Sequence, residues 1–307
     1  MQNTKLYIFF GLHLWGVHMV RIVLEPFAKV NLGLDIVGRR DDGYHEVRMI
    51  MQSVDLKDCM TLTVTDEDIV AIMTDSKDIP ADDSNIVIKA IKLLKQEYGI
   101  KKGINVELKK NIPIAGGMAG GSADAAAALR GMNELFNLKL DDKKLCKLGV
   151  KLGADVPYCI MGGTMLSEGI GEVLTPLKSA PDCYVAIVKP AFSVSTKKVY
   201  EAYDSLSGDR IIHPDIDGLI DAINEGDLYK MCTCMGNSLE SVTEKDHPYI
   251  TEIKRILEEK GAVKAMMSGS GPTVFAIFDD KDKANSAISV FDNNERIEMT
   301  TVVKFLN

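Results

Sequence analysis

Nowhere in this chain do two cysteines stand in a CxxC pair. The six (Cys59, Cys146, Cys159, Cys183, Cys232 and Cys234) are scattered, which excludes the usual zinc and dithiol frameworks and reads as free thiols of a reducing cytosol. Cys232 and Cys234 form a lone CxC with no second pair nearby to complete a metal site. A basic run is missing too. Lys and Arg number 36 against 44 Asp and Glu, for a net charge of −8 and a pI near 5.3, so neither nucleic acid nor an anionic membrane is an expected partner. No apolar run is long enough to span a bilayer. Leu6 to Val20 comes nearest, but it carries His13 and His18, has only Lys5 before it and no small-residue cleavage site behind it, which makes a poor signal peptide. Because the residues after Met19 enter a strand directly, Met19 is the expected start of translation, and residues 1–18 a misassigned or loose extension. Internal repeats and low-complexity linkers are absent, and 307 residues suffice for two lobes with a large core. No exposed apolar seam stands out, so no oligomeric state is read.

What the chain has is small residues, concentrated between Asn111 and Phe136. Gly116, Gly117, Gly120 and Gly121, with Ala115 and Ala119 among them, leave backbone N–H groups uncovered and permit positive φ, so this segment can wrap an anion closely. An alanine-rich helix follows, with Leu129, Met132 and Phe136 at helical spacing. Ser122 is its expected cap, and the free N–H groups of its first turn favour negative charge. Two better-known phosphate loops fail on spacing: the P-loop frame of Gly116 and Gly121 before Ser122 lacks its lysine, and Met118 and Ala119 interrupt the dinucleotide glycine pattern. Taken alone, the stretch suits a tight structural turn as well as a phosphate site.

Elsewhere the periodicities are clear. From Pro26 to Val37 the chain alternates, with Val30, Leu32, Leu34 and Ile36 on one face, and Lys29, Asn31, Gly33 and Asp35 on the other. Period two predicts a strand with Lys29 and Asn31 side by side on the face not committed to the core. After a turn at 38–43, further strands are expected over 44–54, 62–64, 69–73, 104–108 and 184–188. Asp83-Ser84-Asn85 precedes an amphipathic helix over 86–98 ended by Gly99, and Asp141-Asp142 opens another that closes at Gly153. A second small-residue loop, Ser268 to Thr273, reads as a turn between strand and helix. Strands and helices mix without strict βαβ alternation, which predicts an α+β fold.

Four blocks, PFAKVNLGLDIVGRRDDGYHEVRMIMQSVDL, IPIAGGMAGGSADAAAALRGMN, LGADVPYCIMGGT and MMSGSGPTVFAIF, resemble the GHMP kinase family in order and spacing. The resemblance runs from about Val20 to the C-terminus. It implies a two-lobed fold, with an ATP-binding lobe of the ribosomal protein S5 domain 2-like type over 19–172 and an α+β lobe over 173–307. It also implies that Pro113, Ile114, Ala115, Gly116, Gly117, Met118, Ala119, Gly120, Gly121, Ser122 and Ala123 hold the phosphates of ATP, Ser122 helping to position Mg²⁺. Many members carry Ser or Thr where this chain has Ala123. Asp124 would repel a phosphate facing it, so its side chain is expected to point away or to meet the metal. Asn85 matches a position near the adenine, and is equally a helix cap.

By the same resemblance, Asp155 is the base that accepts the substrate proton and Lys29 its partner, an ammonium that keeps the carboxylate ionised and stabilises charge developing on oxygen. Within the family, the GYH block resembles the branch whose acceptor carries a cytidylyl group. Tyr44, His45 and Tyr200 then meet the pyrimidine, with Asn31, Ser268, Gly269 and Gly271 shaping the acceptor pocket. From the residues alone, Tyr44 and His45 could close a β-turn, Tyr200 could be core, and Ser268 to Thr273 could be only a turn. The expected activity is cytoplasmic, ATP-dependent phosphorylation of the 2-hydroxyl of a diphosphocytidyl methylerythritol, on the mevalonate-independent route to isoprenoid precursors. The rivals are a sibling kinase for homoserine or mevalonate, disfavoured by the GYH block, and a non-catalytic metabolite sensor, disfavoured by the presence of Lys29, Asp155 and the glycine loop.

Overall fold

A computed structural model describes residues 4–12, 18–206 and 211–307. The chain folds as α+β and forms two compact units that interleave along the sequence. One comprises Met1–Ala28, Leu56–Ile114 and Ala119–Gly162; the other comprises Lys29–Asp55, Ala115–Met118 and Gly163–Asn307. Among the described residues no helix is long and apolar enough to cross a membrane.

In the first unit, a sheet is built from Thr4–Leu12, the opening half of the long strand His18–Arg39, Cys59–Thr65, Gly103–Lys109 and Val70–Thr74. Antiparallel registers such as Thr4 opposite Pro26, Arg21 opposite Thr63 and Cys59 opposite Lys109 give way to a parallel pairing of Val70 with Ile104 at one edge. Strict alternation in Gly103–Lys109 turns Ile104, Val106 and Leu108 inward. The helix Ile86–Tyr98 begins and ends where its local chemistry dictates: the Asn85 side chain accepts the Val87 N–H, and Gly99 closes it at φ 66°.

Beside it lies Gly120–Leu135, with Ala123 and Ala125 to Ala128 all buried. A helix covered on nearly every side needs small side chains, and at Gly131 an added Cβ would come within 2.6 Å of Leu62 and 2.8 Å of Leu24. Two expectations fail here. Ser122 is not the cap, because the helix starts three residues earlier than expected, at Gly120, with its cap Ala119 in the left-handed region at φ 58°. The helix opened by Asp141 spans Asp142–Gly149 and does not run to Gly153; a separate short helix, Val156–Met161, follows.

The second unit carries the other half of the long strand, beside His45–Lys57, Thr164–Glu168 and Val173–Pro176, with Gly236–Asn237 pairing in parallel to Gly33 and Leu34. A separate antiparallel sheet takes the order Lys264–Met267, Val274–Phe278, Tyr184–Pro190, Ile297–Lys304. Its central strands are apolar except for the buried Lys189, and Val185 to Val188 and Phe275 to Phe278 are fully buried. Ser268 to Thr273 therefore links two strands, not a strand and a helix as its sequence suggested. The approach to that turn is held by Glu240, which accepts the Met267 N–H at 2.7 Å and faces Lys254 at 2.9 Å.

Burial raises the Glu240 carboxyl above its ordinary range, the attraction of Lys254 only partly opposing it. An acid bound more tightly to its proton in the folded state contributes stability below its unfolded pKa, near 4.5, and loses it as pH rises through the folded value. Urea unfolding of the parent should therefore weaken more steeply between acid and neutral pH than that of Glu240→Gln, which keeps an acceptor for Met267. Parallel pH profiles for the two proteins would contradict this.

Candidate active site

The glycine loop departs from ordinary backbone at alternate positions, with φ of 50° at Ala115, 76° at Gly117 and 58° at Ala119. Two of these are alanines, the smallest side chain on which such a conformation can be imposed. Within the second unit, the carbonyl of Gly117 is a junction: it accepts the Lys29 Nζ at 3.2 Å and the Ser268 hydroxyl at 2.9 Å. The neighbouring carbonyl of Met118 accepts the Lys29 backbone N–H at 3.2 Å. Lys29 also donates to Asn31 Oδ1 at 2.7 Å. Residues far apart in sequence (Lys29, Asn31, Gly117, Ser268 and Gly269) are thus brought together, a Cβ on Gly269 falling 3.5 Å from the Lys29 ammonium.

The face of the strand carrying Lys29 and Asn31 is not open. Lys29 is 4% and Asn31 1% exposed, which corrects the expectation that only the opposite face is buried. A buried ammonium requires oriented oxygens, and the strand and the loop supply them. Sequence reasoning missed Asn237, whose side chain donates to the carbonyls of Met267 and Gly269 at 2.9 and 2.8 Å while accepting the Leu239 N–H at 3.0 Å. Nothing adjacent to it signals this, because its partners lie some thirty positions away.

In the first unit, the helix after the loop starts at Gly120, and part of its first turn is open. Gly121 is exposed, and an added Cβ there would meet only Ile86 at 3.8 Å. Asp124 turns away into the protein, 2% exposed, where its Oδ2 accepts the Lys110 Nζ at 2.7 Å. Lys110 is also paired with Asp58. Burial pushes the Asp124 carboxyl up to about 8, against the pull of Lys110. Its second oxygen has no hydrogen-bond partner among the described residues. The first helical turn therefore presents the half-buried Ser122 hydroxyl without a carboxylate beside it. Asn85 is 4% exposed, with its amide donating to the Pro80 carbonyl at 2.7 Å and its oxygen capping the helix. Asp155 stands ahead of Val156–Met161, half-buried, and makes no side-chain capping bond to that helix.

The GYH segment lies in the second unit. A turn closed by the Arg40 N–H on the Tyr44 carbonyl at 2.8 Å, with Gly43 at φ 86°, leaves Tyr44 59% exposed. The His45 ring packs against Tyr200 at 4.8 Å between centroids and meets Tyr203 edge-on at 6.4 Å. Its Nε2 lies 2.6 Å from Asp204, which Arg39 also approaches at 3.4 Å. Tyr44 therefore does close a turn, while His45 opens the strand His45–Lys57 and meets Tyr200. Tyr203, Asp204 and Arg39 had no sequence signal, since only the fold brings helix Thr196–Tyr203 against the turn. The Cys232 thiol is buried and Cys234 half-buried, and no cluster of three metal-ligating side chains occurs among the described residues.

Comparison with known proteins adds a second line. The sequence models described as GHMP kinases N terminal domain and GHMP kinases C terminal match residues 85–163 and 219–296. A protein of Lachnoclostridium phytofermentans named 4-diphosphocytidyl-2-C-methyl-D-erythritol kinase is 50% identical over 284 residues, spanning 92% of this chain and 97% of its own. A protein of the same name from Lachnospira eligens is 53% identical across 86% of this chain and 91% of its own. Among solved structures, a 4-(cytidine 5'-diphospho)-2C-methyl-D-erythritol kinase superposes with a TM-score of 0.78 at 26% identity, covering 93% of this chain and 99% of that one. A homoserine kinase from Cytophaga hutchinsonii, at 0.73 and 22% identity over 94% of each chain, shares the fold.

Proposed function

The chain belongs to the GHMP kinase family, and we propose that it transfers the terminal phosphoryl group of ATP to the 2-hydroxyl of 4-diphosphocytidyl-2-C-methyl-D-erythritol. The observation that carries this reading is the 50% identity to a relative of that activity across nearly the whole of both chains. Two features of this chain support it: an anion-ready loop at the head of a helix, and the aromatic His45 and Tyr200 pair beside an exposed Tyr44. The six free thiols fit work in the cytoplasm, on the mevalonate-independent route to isoprenoid precursors.

Phosphoryl transfer needs in-line placement and charge neutralisation more than covalent chemistry. In this reading, residues 113–123 hold the phosphates through backbone N–H groups, and Asn85 borders the adenine. Mg²⁺, an oxygen-seeking cation, would be held by Ser122 and the nucleotide's own phosphate oxygens, and would neutralise charge on the transferred group. Ser122 fits that part because its hydroxyl sits in the open first turn while Asp124 is committed to Lys110. Asp155 takes the proton of the acceptor hydroxyl. Lys29, aimed by Asn31 and the Gly117 carbonyl, stabilises negative charge as it moves onto oxygen. Tyr44, His45 and Tyr200 take the pyrimidine, whose π-face suits stacking, and Ser268, Gly269 and Gly271 line the acceptor side with Asn31.

The test is ADP release from Mg-ATP in the presence of the diphosphocytidyl substrate, homoserine or mevalonate in turn. Turnover should occur with the first alone. Preference for either of the others would move the chain to a sibling activity, and ATP binding without turnover on any would identify a sensor.

A further inference from the structure

The pairing of Asp124 with Lys110 assigns a second task to the segment around the glycine loop. We propose that Asp58, Lys110 and Asp124 form a clasp that fixes both ends of the loop before nucleotide arrives, making Asp58 and Lys110 positioning residues for ATP. The inference rests on the reading of residues 113–123 as the phosphate site. At the loop's entry, Asp58 Oδ1 accepts the backbone N–H of Asn111 at 2.6 Å and of Ile112 at 2.8 Å. At its exit, Lys110 Nζ donates to Asp124 in the first turn of the helix at 2.7 Å. Asp58 and Lys110 are themselves paired, so one continuous set of bonds joins entry to exit.

Asp58 is in turn fixed to the sheet, its N–H donating to the Pro26 carbonyl at 3.1 Å, and Asn111 reaches the Lys57 carbonyl at 2.9 Å. The helix start lies directly over the ammonium: a Cβ on Gly120 would fall 3.4 Å from Lys110 Nζ and 2.9 Å from Ile112. The three side chains are 0%, 7% and 3% exposed for Asp58, Lys110 and Asp124.

Three buried ionisable groups are a poor way to add stability, since well-packed apolar side chains of similar volume do as well or better. What charges provide and apolar groups do not is direction: the bonds leave one arrangement for residues 111, 112 and 124. A segment closed at its base has less conformational freedom to lose when it orders around an anion, and that saving appears as affinity. Asp58 thereby gains an influence on the loop from more than fifty positions upstream.

The experiment compares the full-length parent with Asp58→Asn and Lys110→Met, measuring KM for ATP and for the alcohol, the Kd of a non-hydrolysable ATP analogue, and the melting temperature. Asp58→Asn and Lys110→Met should weaken ATP about ten- to a hundredfold, the size of effect that small misplacements produce, with the alcohol KM within about twofold. Lys110→Arg should recover part of the loss. A role in stability alone would lower the melting temperature and leave the ATP constants of the folded protein unchanged, and that result would overturn the clasp, as would a parallel rise in both KM values. Should Asp58→Asn fail to fold, Lys110→Arg against Lys110→Met gives the same comparison. If the parent itself does not bind the ATP analogue, the phosphate reading of the loop is what fails.

Discussion

Asp155→Asn is expected to reduce kcat on the order of 10³-fold, the range supplied by a positioned proton acceptor, while ATP affinity stays near that of the parent. The amide has the shape of the carboxylate but cannot take the hydroxyl proton, so the loss belongs to the transition state and should appear equally in kcat and kcat/KM. Stability should change less than turnover, because the position is only half-buried. Steady-state kinetics with a melting curve separate the two quantities. Turnover surviving the substitution would leave the phosphoryl transfer intact and remove Asp155 as the base; a collapse in melting temperature would mark it as a structural residue instead.

Gly117→Ala should be nearly as damaging, through a different cause. Positive φ alone is not the difficulty, since Ala115 and Ala119 adopt 50° and 58° in the same loop. The obstacle is the Ser268 backbone carbonyl, only 2.1 Å from where the new Cβ would stand, and backbone cannot swing aside as the end of a side chain can. Relief requires the loop and the Ser268 turn to separate, breaking the bonds that Lys29 and Ser268 make to the Gly117 carbonyl. The expected cost is roughly 2–4 kcal/mol of stability, together with a loss of activity on the order of 100-fold from a misdirected Lys29. Gly226→Ala, also at positive φ (73°) but with nothing within 4 Å of the added Cβ, is the control and should leave turnover unchanged. A Gly117→Ala protein that melts and turns over like the parent would show that these two segments are not held together in solution.

These two cases mark where the sequence was a sufficient guide and where it was not. Gly117 could be recognised as part of an anion loop, but not as the residue on which Ser268 rests, 151 positions away. Asp124 could be recognised as unwelcome beside a phosphate, but the lysine that draws it inward was not identifiable. Ser122 was expected to cap its helix because serine is a favoured cap, yet the unusual left-handed turn at Ala119 starts the helix earlier. Propensity describes what a residue does among average neighbours, and this loop is not average.

By itself the sequence determined whatever depends on nearest neighbours and on period. It bounded the helix Ile86–Tyr98 between Asn85 and Gly99, because cap chemistry is local. It put Val30, Leu32, Leu34 and Ile36 on one inward face, made the fold α+β, and carried the motif order that identifies the family. Tertiary structure decided the rest. It buried Lys29 and Asn31 where alternation left them outside, joined Lys29, Gly117, Ser268 and Asn237 through buried oxygens, locked Asp58 to Lys110 and Asp124, and set His45 between Tyr200 and Asp204. The reason is that hydrogen-bonding capacity is a property of the residue, whereas the identity of the partner is a property of the fold. Groups separated by tens to hundreds of residues leave no periodic trace of one another until the chain has closed around them.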